Sequence, residues 1–123
     1  MLILKRFAVL LALLPVITFW NQVASAETLK TKNFNIKITR NCPEGYVNCN
    51  NVKYFGKNLR TGKSISLTGK TIHSTATDGV TPARFLGYDF RNNNYLYRVT
   101  ADGFLLVYQG KKIILKEQGI FTY

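Results

Sequence analysis

From Phe34 onward the chain consists of short strand-length apolar runs, some with apolar residues at every second position, separated by turns rich in glycine, asparagine or aspartate. That period favours strands over helices. Successive strand side chains point to opposite faces, whereas a helix returns to one face only every 3.6 residues or so. "FNIKIT" puts Phe34, Ile36 and Ile38 on one face and Asn35 and Lys37 on the other. "VKYF" pairs Val52 with Tyr54. "LRTGKSISLTGKTIHS" contains "TGKSI" and "TGKTI", two short strands with a glycine turn ahead of each, an echo too short to make a repeat architecture. "TATDGVTPAR" has Asp-Gly and Thr-Pro within a few residues and forms the longest irregular loop. After it come the apolar "RFLGYDF", the turn "RNNN", the strand "YLYRVT" and the hairpin signal "ADG". "FLLVYQ", the turn "GKK" and "IILKE" close the chain. The pattern predicts about seven or eight short strands in an all-β antiparallel domain, either a small barrel or a sandwich.

The N-terminus belongs to a different regime. Lys5 and Arg6 precede an apolar run from Phe7 to Trp20, which Pro15 interrupts. Ala24 and Ala26 then occupy the two small-residue positions of an A-x-A cleavage site. The apolar run is 14 residues long, short of the roughly 20 that span a bilayer. Residues 1–26 therefore read as a cleaved signal peptide and 27–123 as one mature domain, periplasmic or secreted, without a transmembrane anchor. Removing 26 of 123 residues leaves 97, enough for one modest core. Export also makes the only two cysteines, Cys42 and Cys49, a disulfide. Zinc wants four ligands, and only His73 is there to add a third. A redox motif needs C-x-x-C spacing.

Catalytic constellations are sparse. "TIHSTATDG" holds the only histidine, His73, beside Ser74 and five residues before Asp78. On a strand His73 and Ser74 point apart, and a nucleophile needs its base within hydrogen-bond reach. Asp78 and Asp102 belong to Asp-Gly turns, Glu44 follows Pro43 in the cysteine loop and Glu27 is the mature N-terminus, leaving Asp89 and Glu117 as the in-strand carboxylates and the candidates for a small cell-wall hydrolase. Gly62-Lys63-Ser64 and Gly69-Lys70-Thr71 match the tail of a phosphate loop, but Lys57 and Ser64 stand where its first glycine belongs. Neither a metal nor a cofactor is expected.

Charge is the feature furthest above background. Removing Lys5 and Arg6 from 17 basic residues leaves 15 against 6 acidic ones, a net of +9 with His73 neutral. Such an excess attracts anionic partners. Export points to an anionic envelope polymer, lipid headgroups or an acidic protein rather than nucleic acid. Cations at turns project beyond a sheet, so Arg60, Lys63, Arg91, Lys111 and Lys112 are the candidate binding rim.

"VYQGKKIILKEQG", Val107–Gly119, resembles the last strands of small periplasmic lysozyme inhibitors. The resemblance implies an exported barrel with one disulfide that inserts a loop into the enzyme cleft. "VTADG", Val99–Gly103, is the segment that echoes that loop. The expected function is a monomeric, non-enzymatic binding or inhibitory module. The alternatives are a lysozyme inhibitor, a hydrolase using Asp89 or Glu117, and a structural envelope protein with no specific ligand.

Overall fold

The computed structural model describes residues 24–123, in which every regular element is a strand. They are β1 (Ala24–Lys30), β2 (Phe34–Asn41), β3 (Val52–Asn58), β4 (Ser64–Thr75) and β5 (Pro82–Asn92). β6 (Tyr95–Thr100), β7 (Phe104–Gln109), β8 (Lys112–Gln118) and β9 (Ile120–Thr122) follow. Each strand from β1 to β7 pairs antiparallel with the next, and β9 returns to pair with β1. Only Gly119 separates β8 from β9, so one continuous run lines β7 with its first half and β1 with its second. The meander thereby closes almost completely into a barrel, a solution that leaves few exposed edges.

The seam depends on two residues. A Cβ at Gly119 would lie 2.3 Å from the Lys30 carbonyl oxygen, so only glycine lets the bend approach β1 this closely. Two residues earlier, the Glu117 carboxylate accepts hydrogen bonds from Thr31 Oγ1 at 2.7 Å, Asn33 N at 3.1 Å and Asn33 Nδ2 at 2.8 Å. Glu117 thus fastens the last strand to the β1–β2 turn.

Alternation fills the interior. Along β3, Val52, Tyr54 and Gly56 face inward, while Lys53, Phe55 and Lys57 face out. Ile36, Ile38, Phe90, Val99 and Leu105 complete the fully buried centre, where the Tyr54 and Phe90 rings lie 5.1 Å apart. Cys42 and Cys49 are bonded across the β2–β3 loop, with Cα atoms 5.8 Å apart. Buried Cys49 docks that loop on β4. Its N–H donates to Thr71 Oγ1 and its carbonyl accepts from Thr71 N, both at 2.9 Å.

In places the strands differ from the sequence expectation. β1 has no apolar alternation of its own and holds its place by pairing on both sides, with β2 and β9. The glycine turn expected ahead of "SI" is present at Gly62, but the one expected at Gly69 is not: Ser64–Ile65 and "TGKTI" belong to a single 12-residue strand, β4, which runs straight through Gly69. Of the expected signal peptide, residues 1–23, with Lys5, Arg6, the Phe7–Trp20 run and Pro15, lie outside the described residues. Ala24–Ala26 open β1 and pair with Asn41, Arg40 and Thr39.

Candidate functional site

Successive turns of a meander alternate between its two ends. Turns 31–33, 59–63, 93–94 and 110–111 fall at one end, here the first end, and 42–51, 76–81 and 101–103 at the second. Arg60 and Lys63 lie in the β3–β4 turn. Lys111 and Lys112 lie at the β7–β8 turn, four strands further round an almost closed barrel. The two pairs therefore flank the first end from opposite sides. Arg91 is not a turn residue: it sits in β5 opposite Leu96, beside an outer groove that Lys70 and Asp89 also line.

Between those turns the barrel opens into an apolar cavity of about 430 Å³. Phe34, Ile65, Leu105, Val107 and Leu115 form its walls, and Tyr54 and Tyr97, with ring centroids 5.7 Å apart, line it from within. A Cβ at Gly56 would lie 2.6 Å from the Tyr54 hydroxyl, so glycine here leaves room for that ring to fold back along its own strand. A register shift between Val107 and Tyr108 leaves Ile114 as the extra residue of β8, and both Ile114 and Leu115 reach the cavity lining. Lys63 stands on the rim in a turn held by hydrogen bonds. Asn58 Oδ1 accepts from Arg60 N at 2.9 Å and Thr61 N at 3.3 Å, and Asn58 N donates to the Lys63 carbonyl at 2.8 Å. Burial pushes the Tyr54 hydroxyl well above the ordinary tyrosine value, and nearby Tyr97 adds to the shift.

The acidic side chains are largely occupied inside the molecule. Glu27 accepts from the Tyr88 hydroxyl at 2.7 Å, and Asp102 from Thr100 Oγ1 at 2.5 Å. Asp78 accepts from the Thr81 hydroxyl and from Val80 N and Thr81 N, which holds its pKa at about 2. Asp89 binds Arg98 in two-pronged fashion at 2.6 and 2.7 Å, which is the one ion pair among the described residues. The remaining cations are uncompensated at this range. On the outer face of β1–β4, the opposed rows Lys30–Asn35–Lys57–Ser64 and Thr28–Lys37–Phe55–Ser66 carry lysines, hydroxyls and an exposed phenylalanine without a carboxylate.

The hydrolase candidates do not converge. Asp89 pairs with outward Arg98, whereas Glu117 pairs with inward Leu105, so the two carboxylates lie on opposite faces of the wall. His73 packs on Phe85 with ring centroids 5.5 Å apart. Ser74 Oγ accepts from Arg84 N at 3.0 Å, and Asp78 is held within its own loop. Among the described residues no three His, Cys, Asp or Glu side chains gather to hold a metal. Val99 ends inside the core, and Ala101–Gly103 make a tight turn in which Gly103 N donates to the Thr100 carbonyl at 3.0 Å. The disulfide suits an oxidising compartment, and among the described residues no helix is long and apolar enough to cross a membrane.

Tyr54, Tyr97 and Ile114 were not singled out in the sequence, where they read as ordinary strand residues; only the bulge and the barrel's open end make them a lining. No family model matches the chain, and no curated protein or solved structure matches it either.

Proposed function

We propose that the chain is an exported, non-enzymatic binding module for an anionic partner at the cell envelope, an anionic polymer or an acidic protein. The supporting observation is the distribution of charge. Among the described residues Glu27, Asp78, Asp102 and Glu117 are taken up by hydrogen bonds within the molecule, and the single ion pair, Asp89–Arg98, engages one of the cations. The basic surface is left to attract from a distance. Lys63, Lys111 and Lys112 supply that attraction at the first end, from two sides of the mouth.

Reversing all three to glutamate tests the proposal. The substitutions take the net charge of residues 27–123 from +9 to +3. Binding to an anionic polymer such as dextran sulfate weakens and loses much of its salt dependence, because screening at physiological ionic strength acts over about 8 Å. Stability changes by only about 0–1 kcal/mol per exposed charge. Unchanged affinity with an unchanged salt slope would show that these cations serve solubility alone.

A further inference from the structure

We propose that the mouth at the first end binds a single-chain amphiphile with an anionic head, the tail inside the cavity and the head at the rim between Lys63 and the Lys111–Lys112 turn. Two independent features meet there. The first is the apolar chamber of about 430 Å³ behind the rim, walled by Phe34, Ile65, Val107 and Leu115. Pockets for small molecules run from roughly 300 to 1,000 Å³, so this one holds a single chain rather than a two-chain lipid. The second is the rim itself, with Lys63 fixed by the Asn58-capped turn on one side and Lys111–Lys112 on the other.

The orientation follows from where charge is stabilised. Tyr54, Tyr97 and the apolar side chains line the cavity, Lys63 is the one cation in that lining, and the apolar walls disfavour a charged group between them, in line with the upward shift of the buried Tyr54 hydroxyl. Lys63 is exposed at the opening and is the cation that lines it. An anionic head is therefore stabilised at the rim and an apolar tail below it. The β8 bulge that brings Ile114 alongside Leu115 extends the apolar wall to the lip. This inference goes beyond the proposed polymer or protein partner, since the polymer needs only the outer charge and the amphiphile needs the cavity.

The test is calorimetric titration with octanoate, decanoate and dodecanoate below their micelle concentrations, alongside decanol and decyltrimethylammonium. The expected result is saturable one-to-one binding that tightens about three- to fourfold per added methylene. Decanoate binds more tightly than the cationic analogue. Ile114→Trp, at a residue 45% exposed, fills the lip and abolishes decanoate binding while leaving dextran sulfate binding intact. Ile65→Phe narrows the chamber from the opposite wall and serves the same purpose if the tryptophan variant melts early. Lys63→Gln weakens decanoate up to about fivefold and leaves decanol unchanged. Affinity independent of chain length, decanoate binding that survives both cavity variants, or equal affinity for the cationic analogue would overturn the inference. A loss of dextran sulfate binding in the triple reversal, with chain-length dependence retained, bears on the proposed function alone.

Discussion

Replacing Glu117 with glutamine probes how the barrel is closed. The carboxylate accepts three hydrogen bonds from the β1–β2 turn, two on Oε1 and one on Oε2. Glutamine keeps one acceptor oxygen, and its amide NH₂ meets the Asn33 Nδ2 donor head on. Bonds to a charged acceptor contribute about 1.5–3 kcal/mol net when buried, roughly twice the neutral value. Glu117 is only partly buried, so the expected loss lies near the low end, about 1–2 kcal/mol. In a domain of this size that lowers Tm by roughly 5–15 °C. The pH dependence follows from the same contacts. Desolvation works to raise the Glu117 pKa, but the bonds from Asn33 and Thr31 and the charge of Lys32 outweigh it and hold the group below its usual 4.5. A carboxyl depressed on folding contributes stability that is fully present above the unfolded value and is lost as pH falls through the folded one. The gap between wild type and Glu117→Gln should be full near neutrality and close on acidification below about pH 4.5. Paired thermal melts across pH measure it, and hydrogen exchange should show the amides of Ile120–Thr122 opening first in the variant. A gap below about 0.5 kcal/mol, or one that persists unchanged well below pH 4, would refute Glu117 as the fastener.

Intact-mass analysis of exported protein should find a chain beginning at Glu27, two hydrogens lighter than the reduced form. A retained N-terminus or two free thiols would count against export. Cleavage there removes Ala24–Ala26 from β1 but leaves Thr28–Lys30 paired with both β2 and β9. Replacing Cys42 and Cys49 with serine should cost about 2–3 kcal/mol, and a chemical denaturation midpoint unchanged from wild type would show the staple to be idle. His73→Ala should leave dextran sulfate binding intact, because Phe85, not a nucleophile, is its neighbour. The same substitution should leave any biological activity of the protein intact, and a hundredfold loss of that activity with the fold preserved would reopen catalysis.

Which elements were legible in the sequence follows from the range of the forces involved. Alternation in "FNIKIT" and the apolar character of "YLYRVT" and "FLLVYQ" are local, so those strands, the antiparallel class and the shared faces of Ile36 with Ile38 and of Val52 with Tyr54 were all readable in advance. So was the Cys42–Cys49 bond, since no other cysteine competes for either partner. β1 and β9 were not legible, because "ASAETLK" and "IFT" carry no period of their own and become strands only when the two meet at the seam. Glu117 was visible as a carboxylate but not as a fastener, since its partners lie more than 80 residues away. Turn composition marked Arg60, Lys63, Lys111 and Lys112 as projecting cations, and strand parity set them at one end. The apolar mouth between them was decided only by closure. Side chains from β2, β3, β4, β6, β7 and β8 meet across an interior that no local pattern encodes, and the β8 bulge turns Ile114 toward it.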